Sequence, residues 1–191
     1  MPGAKTIGTI YCSSEVNSQL QAELLKKYAA EKGVQVEEAT VSNVNDIQQA
    51  AQSLVGKVDA VYVPTDNVLA SAMPTLAQVT EPAKLAVVCG EGGMVMAGGV
   101  ATLAIDYYQL GEQTGEMAGD ILSGKDLKPQ TMPIQLQKSF KVIINKEIAE
   151  KSVSRFPKIC LRQQKALNKQ ARVSPCFRGE TRFYGYITGG R

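Results

Sequence analysis

Short β-rich runs alternate with helix-length stretches from the start of this chain to about residue 151, and that alternation leaves few architectures open. TIGTIY (6–11) reads as a buried strand, and Val16, Leu20, Leu24 and Tyr28 then recur every fourth residue, placing four apolar groups on one helix face. Gly33 is positioned to end that helix. VQVEEA (34–39) is a second strand, followed by a helix through Ile47, Ala51 and Leu54 that Asn45 can cap, with Gln48 reaching back. VDAVYV (58–63) is a third strand. Asp66 can cap the next helix, carrying Leu69, Met73, Leu76 and Val79, in which Pro74 predicts a kink or a later start. KLAVV (84–88) is a fourth strand ended by the glycine-rich turn GEGGM (90–94), and ATLAI (101–105) a fifth. A helix from about Tyr107 to Leu122, a polar connector at 125–133, the strand FKVII (140–144) and the helix start NKEIAEK (145–151) complete the pattern. Strand–helix pairs of this length make βαβ units. The fold class is therefore α/β, a parallel sheet with helices on both faces.

Charge divides the chain where the alternation stops. Residues 151–191 hold ten Lys or Arg against one acid, Glu180, a net of +9; the first 150 hold 11 basic and 17 acidic residues, a net of −6. The expected organisation is thus a folded, acidic unit over 1–151 and a basic tail over 152–191. The four cysteines, Cys12, Cys89, Cys160 and Cys176, lie far apart with no CxxC pair, which argues against a zinc site. Cys12 and Cys89 end apolar runs and read as buried free thiols. The chain has no histidine, so it lacks the commonest general base and the commonest metal ligand. No nucleophile–base pair stands out, and no cofactor is implied; an enzyme is disfavoured. No apolar run approaches the roughly 20 residues that span a bilayer.

In open parallel sheets, ligands bind beyond the carboxyl ends of the strands. Those ends are polar here: Ser13, Ser14, Glu15, Asn17 and Ser18 after the first strand, Thr65, Asp66 and Asn67 after the third, Glu91 after the fourth, Asp106 and Tyr107 after the fifth. Helix N-termini with Ser, Asn and Thr receive a carboxylate, and Asp66, Glu91 and Asp106 suit an ammonium, so the set fits a zwitterion such as an amino acid. The competing reading is capping alone, with Ser14 and Asp66 satisfying helix amides. GEGGMVMAGG lacks both phosphate-loop spacings, GxGxxG and GK[ST].

The segments SSEVNS (13–18), VGKVDAVYVPTDN (55–67), CGEGGMVMAGGVATLAIDYYQLGEQTGEMAGDIL (89–122) and KVIINKEIAEK (141–151) resemble the substrate-binding component of ABC transporters with a type I periplasmic-binding fold. The resemblance runs from about residue 3 to 151. It implies one lobe, with crossover elements, of a two-lobed protein that closes on a small ligand, aromatic amino acids among them. It further implies delivery of that ligand to an ABC permease, an extracytoplasmic location and no catalysis. Ligand contacts carried over are Ser13, Ser14, Glu15, Asn17, Ser18, Thr65, Asp66, Asn67, Glu91, Asp106 and Tyr107.

Two departures shape further expectations. MPGAKTIG (1–8) resembles the point where the family enters its second lobe, so a signal peptide and first lobe are expected to be missing and binding by this chain alone to be weak. The family continues past AEK with a run close to LGVKIPEDLLE; a one-base shift in codons for that run yields SVSRFPKICLR, the residues at 152–162. A frame-shifted, disordered and expendable tail is the resulting expectation. Leu110, Met117 and Ile121 of the 107–122 helix, facing a lobe this chain lacks, are expected to drive self-association. The alternatives are a ligand-sensing regulatory domain of the same fold, and nucleic-acid contact through the basic tail with Phe177, Phe183, Tyr184 and Tyr186. No specific nucleic acid is expected as a partner.

Overall fold

A computed structural model describes residues 3–123, 128–137 and 140–152. The basic tail, with its frameshift and nucleic-acid expectations, falls outside the described residues. The strands are β1 (Thr6–Cys12), β2 (Gln35–Val41), β3 (Ala60–Val63), β4 (Ala86–Cys89), β5 (Ala101–Ile105) and β6 (Phe140–Ile144). The helices are α1 (Val16–Glu31), α2 (Ile47–Leu54), α3 (Asn67–Ser71), α4 (Met73–Thr80), α5 (Gly92–Met96), α6 (Tyr107–Leu122) and α7 (Lys146–Ser152).

One six-stranded sheet runs in the order β2-β1-β3-β4-β5-β6. The first five strands are parallel, as expected; β6 returns antiparallel to β5, pairing Ala101 with Ile144 and Ile105 with Phe140. The chain steps left from β1 to β2 and then rightward, so right-handed crossovers put α1 on one face and α2 and α4 on the other. Ile10, Cys12, Val61, Val63, Val87 and Cys89 point to the second face, where they pack with Ile47, Leu54, Leu69, Met73 and Leu76 in the main core. At about 25 cal/mol per Å2 of apolar surface, this dry side of the sheet supplies most of the domain's cohesion.

Four local expectations need correction. The stripe Val16, Leu20, Leu24 and Tyr28 does not face the sheet: these residues are 76, 61, 42 and 58% exposed, while Ser18, Ala22 and Ala29 are buried. The small residues form a second stripe on the opposite side of α1 and let it approach β1 and β2 closely. The helix begun at 45 is capped two residues earlier: Asn43 accepts from Asn45 N–H, and a 3-10 turn at Val44–Asp46 leads into α2. Ile47, Ala51 and Leu54 are buried as the pattern requires. GEGGM is not merely a turn, since Glu91 starts the short helix α5. Pro74 does not kink one helix but sits in the first turn of α4 after a break at Ala72, where its missing N–H costs nothing. Gly33 ends α1 with φ +67. Cys12 and Cys89 are buried free thiols, as read.

Candidate functional site

The loops after β1, β3, β4 and β5 line up side by side because those strands are consecutive in the sheet and parallel. The first two loops are knitted together. Asn17 Nδ2 donates to the Thr65 carbonyl at 2.7 Å and Ser18 Oγ to the same oxygen at 3.3 Å. Glu15 turns its carboxylate across to α3, accepting from Asn67 N–H at 3.0 Å, from Asn67 Nδ2 at 3.1 Å and from Val68 N–H at 3.3 Å. Asp66 is buried and ties the two strand ends: Oδ2 accepts from Cys12 N–H at 2.7 Å and Oδ1 from Leu69 N–H at 2.9 Å.

Glu91 accepts from Gly93 and Met94 N–H, and Asp106 from Tyr108 and Gln109 N–H. Each expected ammonium partner, Asp66, Glu91 and Asp106, therefore spends its carboxylate on helix amides. Asp106 also holds Lys141 Nζ at 2.5 Å. Ser14 does not cap α1; its Oγ lies 3.1 Å from Cys12 Sγ. Ser13 is exposed, with its Oγ 3.4 Å from the Val41 carbonyl. Tyr107 is 57% exposed at the start of α6.

The four helices that follow these strands differ at their first turn. Asp66, Glu91 and Asp106 supply side-chain caps to α3, α5 and α6, whereas α1 begins at Glu15 with no side-chain cap. A 16-residue helix thus presents its N-terminal amides and dipole at the polar edge. Asp106 and Tyr107 stand three strand spacings from β1, about 14 Å at ~4.8 Å per strand, too far for one zwitterionic head group to touch both ends.

Gln21, Gly90 and Lys141 were not foreseen. Gln21 Oε1 accepts from Tyr62 Oη and Thr65 N–H, both at 3.1 Å, fixing α1 against β3. A Cβ on Gly90 would strike Thr65 N, and Pro64 C at 2.8 Å. Only the glycine-rich turn GEGGM (90–94) hinted at that close approach; a mid-helix Gln carries no signal. Burial, then the field of Glu91, pushes the Cys89 thiol up to about 12, so it stays protonated beneath the edge.

Burial works to raise the Asp106 carboxyl, but Lys141 and the Gln109 and Tyr108 amides outweigh it and leave it below the ordinary carboxylate value. A carboxyl depressed on folding stabilises above its unfolded pKa of about 3.9 and loses that contribution as pH falls through the lower folded value. Lys141→Ala should cost about 1 kcal/mol at pH 7, reduced by the partial exposure of the lysine. It should also soften the fall in Tm as the pH drops below roughly 4. Superimposable Tm–pH curves for the two proteins would refute this.

A mostly parallel α/β sheet with its polar loops gathered beyond the carboxyl ends of its strands has the layout in which such sheets hold ligands. The family model "ABC transporter substrate binding protein" matches residues 1–163, past the expected boundary at Lys151. The chain belongs to this family, a class of substrate-binding proteins and not of enzymes. It is 40% identical over 146 residues to a tyrosine-binding protein of Clostridioides difficile (strain R20291), covering 76% of this chain and 42% of that one. It is similar to the ABC domain from Streptococcus pneumonia solved in complex with L-Trp (TM-score 0.76, 37% identity, 85% of this chain and 56% of that one). It is also similar to the ligand-free, open substrate binding protein from Clostridium difficile (TM-score 0.67, 40% identity, 82 and 52%). The chain spans about half the length of the proteins it matches. A LacI family regulator from Bifidobacterium animalis, at 14% identity and TM-score 0.56, shares the fold alone.

No helix among the described residues is long and apolar enough to cross a membrane. Among them, no cluster of His, Cys, Asp or Glu is arranged to hold a metal.

Proposed function

We infer that this chain contributes one wall of an amino-acid site in the solute-binding component of an ABC importer. One observation carries the reading: α1 is the helix at the ligand edge whose N-terminus no carboxylate caps. An amino acid's carboxylate belongs there, received by the Val16 and Asn17 amides with the hydroxyls of Ser13 and Ser14 beside them. Its ammonium faces the carboxylates of Glu15 and Glu91, which carry negative charge at the edge. The side chain then extends along the edge toward β5, where Tyr107 offers an aromatic surface. That matches relatives whose names and structures specify tyrosine and L-Trp. The role with a permease and the extracytoplasmic location follow from the family and belong to this proposal.

Amide chemical shifts test it at any affinity. L-tyrosine or L-tryptophan titrated into the 15N-labelled chain should move residues 13–18 and 65–67 first. The methyl ester should lose the shifts at Val16 and Asn17, and the N-acetyl compound those at Glu15. Shifts confined to the opposite edge of the sheet, or none at millimolar ligand, would overturn the reading.

A further inference from the structure

Helix α1 turns its larger apolar stripe to water. Ser18, Ala22 and Ala29 fill the side against the sheet, so Val16, Leu20, Leu24 and Tyr28 stand outward as one ridge of residues four apart. Four large side chains in a row expose on the order of 400 Å2 of apolar surface, a size that marks interaction sites on soluble proteins. A second ridge runs beside the first and carries alternating charge. Glu23, Lys27 and Glu31 are exposed and follow one another at the same four-residue spacing. Glu23 holds Lys26 within the chain at 2.6 Å, yet its side chain is 67% exposed, which leaves room for a second cation.

The charged ridge decides what can cover the apolar one. Two parallel copies of α1 would set Glu23 on Glu23 and Lys27 on Lys27, and like charges would oppose the contact. Two antiparallel copies, related by a two-fold axis level with Leu24 and Leu25, bring each Glu23 opposite the partner's Lys27. The same axis sets Leu24 against the partner's Leu24 and Leu20 against the partner's Tyr28. Ridges of residues four apart interdigitate in the commonest mode of helix packing, and a two-fold contact makes each favourable pair twice. We propose that α1 is a self-association surface. Two copies of this chain pair antiparallel through the Val16–Tyr28 ridge, and the reciprocal Glu23–Lys27 pairs fix the orientation. The contact is small beside the roughly 800 Å2 per partner of a standard interface, so the dimer is a weak one.

Sedimentation equilibrium of the full chain should give a reversible dimer dissociating at about 10–100 µM. Glu23→Lys and Lys27→Glu each place like charges across the axis and should weaken it at least ten-fold. An equimolar mixture of the two variants should restore it, because one chain then carries two bases and the other two acids. Leu24→Cys, in a Cys160→Ser/Cys176→Ser background that keeps only the buried Cys12 and Cys89, should form a disulfide between chains on mild oxidation. Val16→Cys, two turns from the axis, should not. A chain that stays monomeric at 1 mM, a mixture that fails to associate, or equal linkage from positions 16 and 24 would each overturn the proposal. So would a dimer indifferent to all these changes, which would put the contact elsewhere, such as the exposed Val88, Leu103 and Phe140 of the sheet.

Discussion

Asp66→Ala should cost the domain about 3–5 kcal/mol, because it strips partners from two buried amides at once and each orphan costs roughly 1–3 kcal/mol. The Cys12 amide ends β1 and the Leu69 amide opens α3, and Asp66 alone bridges them through its two oxygens. Loss of the α3 cap is contained in that figure, at about 1 kcal/mol. Against a total stability of about 5–15 kcal/mol this is a large share. The urea midpoint should fall steeply, and the ligand edge should open between β1 and β3. Asp66→Asn keeps one acceptor and should lose about half as much. Stable Ala and Asn variants, each within about 1 kcal/mol of the parent but unable to bind an amino acid, would show that Asp66 serves the ligand and not the fold.

Gly90→Ala should be the next most damaging small change, at about 2–3 kcal/mol, in the range of core overpacking. The new methyl would meet backbone atoms of Thr65 and Pro64, which cannot swing aside as a side chain can. The Gly90 N–H bond to the Val63 carbonyl, at 2.8 Å, holds the two strand ends together and blocks relief by sliding. Thr65 is also the acceptor for Asn17 and Ser18, so its displacement should weaken amino-acid binding more than ten-fold. Gly93→Ala is the control. Its methyl meets only the flexible carboxylate of Glu91 at 3.1 Å, and alanine suits a helix better than glycine by about 0.5–1 kcal/mol. Equal losses from the two substitutions would refute the close-packing account.

The sequence made the element order plain, and α6 was bounded correctly at both ends, because periodicity is a property of the chain alone. The direction of β6 was not legible: FKVII pairs equally well either way, and only its neighbour decides. The cap at Asn43 was missed because Asn43, Asn45 and Asp46 all suit a helix start, and backbone geometry selects among them. The eleven candidate residues all follow strands at the carboxyl edge of the sheet, yet Asp66, Glu91 and Asp106 are engaged with amides. Capping and ligand recognition recruit the same side chains, so residue type alone cannot separate them. In α6, Leu110, Met117 and Ile121 are half-buried, not bare; the exposed apolar groups there are Tyr107, Tyr108 and Leu122. Gln113 bonds to Gln135 and Gln137 to the Asp106 carbonyl, so residues 135–137 run alongside the helix, a pairing between distant segments that no local pattern reveals.

The two stripes of α1 bear on how this domain reaches its structure. A helix apolar on opposite sides has two rotational settings on the sheet, and burial of large side chains favours the wrong one. Rotating α1 by half a turn would hide Val16, Leu20 and Leu24 but push bulk between helix and strands where Ser18, Ala22 and Ala29 now fit. What tells the settings apart is polar. Gln21, Asn17 and Ser18 reach Tyr62 and Thr65 in only one of them. The groups that build the ligand edge therefore also decide the orientation of the helix, and a chain that lost them would risk a well-buried but misturned domain.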